Sequence, residues 1–374
     1  MRQILGCAAA ILASAALTAS AQADEAEILS HYDAYDAAFA AGDFATADME
    51  GEAAWRAAEA EWGAREETGV LAFNLARLRL MMDHRAEALE PSQRVAELVE
   101  AGATTSVSPE EATLFVRISQ LGDDPGRREL NDLEEALAAY EPVDPMNTHI
   151  TWMALARVAD RRIENRQWRE AFEAADRAGQ LMADDPSAAA GSRARVALLA
   201  ASAAYEREDY VDAIRAARRG IAAYPPQPLD QPVDPILGSL LGWEAGLRNA
   251  AGQFNKDLSE LNADVYDPAW DDGRYPTAMG CDVEWIERSA PNYPSEGARR
   301  GQVLGMMFEY YLDTDGSVIR VDPLGDIRDT GGFGEAAIEA MHTWRATPQP
   351  RAECRGPWQI TLEFRLQTRT AQSR

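Results

Sequence analysis

The side chains able to carry chemistry are few, and their spacing is informative mainly by what it lacks. The chain has three cysteines, of which Cys281 and Cys354 lie beyond the first few residues, and four histidines, scattered at His31, His84, His149 and His342. No Cys-x-x-Cys or His-x-x-x-His spacing joins them, so a metal site is not expected. Gly-x-Ser-x-Gly, His-Glu-x-x-His, a phosphate loop and a nucleophilic Cys-His pair are all missing, and acids are too abundant for spacing to pick out an acid/base pair. The reading is therefore of a protein that is not an enzyme and needs no cofactor; a hydrolase with an unrecognised site ranks last. Two kinds of chemistry remain. Cys281 and Cys354 either pair as a disulfide in an oxidising compartment or stay as two thiols. The other is backbone chemistry: the run Trp358-Gln359-Ile360-Thr361-Leu362-Glu363-Phe364-Arg365-Leu366 alternates apolar with polar, as a strand does. At a sheet edge such a strand offers N–H and C=O groups that an extended partner segment can pair with.

The elements around that run read as a small α+β layer. Met306, Phe308, Tyr310 and Leu312 share one parity, with Glu309 and Asp313 on the other, so a strand with one buried face is expected. Asp315-Gly316 is a hairpin signal, because glycine reaches positive φ without Cβ strain. Val318, Arg320 and Asp322 alternate with Ile319 and Val321 in a returning strand. Ala336, Ala337, Ala340, Met341 and Trp344 recur at helical spacing. The expected layer has two helices on one face of an antiparallel sheet.

The order Tyr293-Pro294, Ala298-Arg299-Arg300, the alternating strand, Asp313-Thr314-Asp315-Gly316, then Ala336-Ala337 to Trp344-Arg345 resembles the C-terminal domain of TonB, the periplasmic energy-transducing proteins. The resemblance covers residues 281–370, about the last quarter of the chain. It departs from the family at Leu304, where a glycine normally opens the central strand, and at Ala346, where an aromatic usually follows Trp-Arg. The resemblance implies that the last strand grips a short segment of an outer-membrane receptor. On this chain Trp358, Gln359, Thr361, Glu363 and Arg365 would carry that binding. It also implies that Tyr293, Pro294, Arg299 and Arg300 lie beside the receptor.

Residues 24–262 read as all-α. Alanine, leucine, glutamate and arginine dominate, with apolar residues three and four apart. Polar breaks end at positions 44, 85, 127, 168, 210 and 254, a period of roughly 42 residues. Polar turn, aromatic, then alanine resembles the hinge of a tetratricopeptide hairpin, best in Ala156–Ala174 about Trp168 and in Ala200–Pro225 about Tyr210. The implied fold class is a helical-repeat solenoid followed by the small TonB-like α+β domain, joined by a linker over 263–280.

Met1-Arg2-Gln3, the apolar stretch Ile4–Leu17 and the small residues to Ala23 read as a secretory signal over 1–23. Periplasmic export is thus expected, or inner-membrane anchoring if the segment is retained. Net charge is -26, with 62 acidic against 36 basic side chains, which disfavours nucleic acid and anionic membrane surfaces as partners. Two roles are expected: a periplasmic receptor-binding protein supporting energy-coupled transport, or an envelope scaffold. In the second, the helical repeats recruit protein partners and the C-terminal domain caps or dimerises.

Overall fold

The computed structural model describes residues 25–122, 125–183, 185, 187–224, 234–253, 261, 281, 283–300, 304–324 and 332–364. The expected signal segment and the linker over 263–280 lie outside these. Helices run from residue 25 to residue 253: α1 over residues 25–40, then α2 Phe44–Trp62, α3 Glu66–Met81, α4 Arg85–Glu100, α5 Pro109–Gln120, α6 Arg127–Ala139, α7 Pro145–Glu164, α8 Trp168–Ala183, α9 Ala190–Glu206, α10 Tyr210–Ala222 and α11 Pro235–Gln253. The rest is β1 Trp285–Glu287, α12 Ser295–Arg300, β2 Leu304–Leu312, β3 Val318–Pro323, α13 Phe333–Met341, β4 Arg345–Ala346 and β5 Trp358–Phe364. The protein is mostly helical with a small C-terminal sheet region. It divides into two compact units, one ending at Ala154 and the other beginning at Leu155. Among the described residues no helix is long and apolar enough to cross a membrane.

The repeat read from the sequence has a local physical cause. Helices α2, α4, α6, α8 and α10 start at Phe44, Arg85, Arg127, Trp168 and Tyr210, five of the six positions where the breaks end; the sixth, 254, lies outside the described residues. Four of these five junctions share one turn. Gly42, Asp83, Arg166 and Glu208 sit at φ of 75°, 62°, 57° and 60°, a left-handed conformation that ends a helix. The next N–H then reaches back to a carbonyl five residues earlier. Asp43 bonds Ala38 at 2.9 Å, His84 bonds Arg79 at 2.8 Å, Gln167 bonds Arg162 at 2.8 Å and Asp209 bonds Ala204 at 3.0 Å. Glycine meets the requirement at only one of the four. Asp43 and Asp209 also cap the helix that follows, accepting from Thr46 and Asp212. At the fifth junction Gly126 has φ of -70° and donates instead to the Glu129 carboxylate.

In the first unit α2 to α6 pack each on the next. Its core joins Trp55, Leu75, Leu78, Leu98, Leu114, Phe115 and Leu130, all buried, with Phe73 stacked on Phe115 at 5.3 Å. A polar knot lies beside it: Tyr140 and Asn147 donate to Glu111, and burial pushes that carboxyl above its ordinary pKa.

In the second unit α8 to α11 pack in the same sequential way, and α11 also lies on β2 and β5. Glu244 of α11 is 1% exposed and accepts from Arg218 Nε at 3.0 Å and Arg248 Nε at 2.9 Å. Removing a buried charge strands its partners. Glu244→Ala is therefore expected to lower stability by about 3 kcal/mol, read as a fall in the urea midpoint.

The sheet has the order β3-β2-β5, all antiparallel, and β1 pairs with β4 beside it. Met306, Phe308, Tyr310 and Leu312 form one face with Trp358, Leu362 and Phe364, packed against Phe333, Ala337 and Met341 of α13 and against Trp344. Two sequence expectations need correction. The sheet does not have one buried face only: Met307, on the opposite parity, is fully buried because α11 covers that side. In β3 the register slips at Tyr311/Leu312, pairing Arg320 with Tyr311 but Val318 with Leu312. This bulge turns Val318 and Val321 inward together and leaves Ile319 exposed. The hairpin at Asp315-Gly316 forms as expected, with Gly316 at φ 85°.

Candidate functional site

The candidate site is the outer edge of β5, the last strand of the sheet among the described residues. Antiparallel strands direct backbone groups alternately to one neighbour and the other. Met307 O accepts from Leu324 N at 2.9 Å, and Leu312 N donates to Arg355 O at 2.7 Å. Odd members of β2 therefore face β3 and even members face β5. Met306, Phe308 and Tyr310 are opposite Leu362, Ile360 and Trp358. The backbone groups of Gln359 and Glu363 then point away from β2, towards the sheet's edge. Among the described residues no strand pairs with that side of β5.

Side chains on β5 divide by parity. Trp358 is a core residue: it is 4% exposed and its Nε1 donates to Cys354 O at 3.0 Å. Gln359 and Thr361 are half-buried and share the α11-covered face, opposite Glu309 and Met307, while Glu363 is opposite Gly305. Arg365 lies outside the described residues.

Tyr293 comes to the end of β5. Its ring meets Phe364 at 6.1 Å and Phe333 at 5.4 Å, both edge-on, and Phe333 meets Phe364 at 4.9 Å. Burial raises the pKa of its hydroxyl. Pro294 is half-buried just before α12, Arg299 on that helix is exposed, and Arg300 closes it. The helix lies close because residue 297 is glycine; a Cβ there would come within 2.3 Å of the Phe333 ring. The structure thus brings Tyr293 to β5, with α12 packed on the same phenylalanine.

Cys281 and Cys354 are bonded, with Cα atoms 5.5 Å apart. The bond ties the segment entering the C-terminal layer to the short 3₁₀ turn Ala352–Cys354 that precedes β5. Among the described residues no cluster of His, Cys, Asp or Glu is arranged to hold a metal.

Sequence reasoning missed the other partner of the sheet. Gly238, Gly242 and Gly246 are spaced by four on α11 and put a bare stripe against β2. A Cβ on Gly242 would meet Gly305 O at 2.9 Å, and one on Gly305 would meet Gly242 O at 2.0 Å. The glycine spacing was visible in the sequence; its target, some sixty residues away, was not. Comparisons with protein-family models and with curated proteins return no match for this chain. What the fold defines is a mostly helical chain ending in a small antiparallel α+β region in which β5 is the outer strand among the described residues.

Proposed function

We propose that this is a periplasmic TonB-like protein that binds outer-membrane receptor segments, or other envelope proteins, by strand addition to β5, in support of energy-coupled transport. The observation that carries this reading is the position of β5 at the sheet's edge, with the backbone of Gln359 and Glu363 directed outward. Main-chain hydrogen bonds supply affinity in such a mode and flanking side chains supply selectivity. In this reading the exposed Arg299 and Tyr293, whose ring meets Phe364 at the end of the strand, contribute the latter. The disulfide suits an exported protein.

A second reading has its own support in the turn repeated at Gly42, Asp83, Arg166 and Glu208. Stacked hairpins of that kind expose extended surfaces that hold peptides, and the protein would then be a scaffold recruiting through its helices. One experiment separates the two. A photo-reactive residue in place of Thr361 is expected to crosslink an outer-membrane protein in cells. Glu363→Pro removes an edge-facing N–H at little cost to the fold and is expected to reduce capture at least tenfold with the far-UV spectrum unchanged. If capture survives Glu363→Pro, or is retained by residues 24–262 alone, the scaffold reading replaces the first.

A further inference from the structure

Away from the sheet, α8, α9 and α10 enclose a groove of about 290 Å³, at the small end of ligand pockets. Its floor is apolar, with Ala175 and Met182 from α8 and Val196 and Ala200 from α9, all buried. The space exists because the facing residues are small: a Cβ on Gly179 would find only Val196 Cγ1, at 4.0 Å. Two arginines stand at its rim. Arg219 is neutralised by Asp176 at 2.7 Å. Arg193 donates to the carbonyl of Asp185 at 2.8 Å, and among the described residues no carboxylate pairs with it. Arg193 also lies in the first turns of α9, whose N-cap, Ala189, has no side-chain hydrogen bond to offer; the uncapped end adds positive potential on the same side.

We propose that this groove binds a carboxylate carried on an unbranched apolar chain of medium length, with the head at Arg193 and the chain along the alanine floor. The walls decide between an acyl chain and a peptide. The groove is too small for a helical peptide, and an extended peptide buried in it would find no strand edge with which to pair its amides. A hydrocarbon chain has no such groups, and the charge at one end gives it direction. This inference stands independently of the strand-addition reading.

The test uses the full chain and decanoate, with decanol as the uncharged control, followed by isothermal titration calorimetry below the micellar range. Saturable binding of decanoate near one per chain is expected, with decanol weaker. Arg193→Gln should weaken decanoate about tenfold, the scale of one charge-assisted hydrogen bond, and leave decanol unchanged. Gly179→Leu projects into open space, improves helix propensity, and should abolish binding of both while keeping the thermal midpoint. No saturable decanoate binding, or equal binding by wild type, Arg193→Gln and Gly179→Leu, overturns the proposal.

Discussion

Gly305→Val is expected to separate α11 from the sheet and to lower stability by about 3 kcal/mol or more, beyond the usual cost of overpacking. Most core substitutions find a side chain that can turn away. Here the obstacle is backbone. The ideal Cβ at position 305 would lie 2.0 Å from Gly242 O, 2.8 Å from Gly246 N and 3.0 Å from Gly242 C. None of these atoms can rotate out of the way, so the whole helix must lift. Met307, fully buried beneath α11, would then meet water, and its amide should lose hydrogen-exchange protection. Even Gly305→Ala carries the clash and should fall close to the valine variant. Gly191→Ala is the control with opposite sign. It sits in α9 with only the Tyr224 hydroxyl near, at 3.8 Å, and should stabilise by about 0.5–1 kcal/mol through helix propensity. A Gly305→Ala protein with unchanged urea midpoint and unchanged exchange at Met307 would refute the close approach.

The same contact shows where the sequence stops being readable. Local signals survived folding well. Breaks ending at 44, 85, 127, 168 and 210 became helix starts, because a turn that returns an N–H five residues back is settled within one loop. Asp315-Gly316 formed its hairpin for a similar reason, and Gly316 is doubly constrained, since a Cβ there would strike Ala346 O at 2.1 Å. The alternation of Ile360, Leu362 and Phe364 identified the core face of β5. Non-local facts did not show. Alternation in β2 suggested one wet face because Glu309 and Asp313 are polar, yet Gly305 and Met307 on that parity are roofed by α11. Nothing near Ile319 announces a bulge, whose register depends on β2. For the candidate site, the strand and its edge position are legible in outline, but Trp358 proves to be spent on the core and on Cys354 O. Tyr293 is held by Phe333 and Phe364 rather than standing clear.

Replacing both cysteines, as Cys281→Ala with Cys354→Ala, is expected to cost about 4 kcal/mol, the loop-closure entropy for a bond spanning 73 residues. Both cysteines are buried, so the loss should follow full unfolding and not a surface change. The bond closes the C-terminal layer on itself: it fixes the entry at Cys281 to the turn whose Cys354 carbonyl receives the Trp358 indole. Without it, the unfolded chain gains freedom and exposes more surface, so the denaturant slope should rise while the midpoint falls. Reduced wild type should shift in the same direction in urea, with the double variant lower still because it also lacks two buried sulfurs. Strand addition gives a second readout. If β5 is held ready for a partner by this anchor, the double variant should bind the captured segment more weakly under conditions where it is still folded, because part of the ordering of β5 would then be drawn from binding. Equal urea curves for oxidised and reduced protein would show that the loop is already constrained by packing, and would remove the disulfide from any account of how the edge is presented.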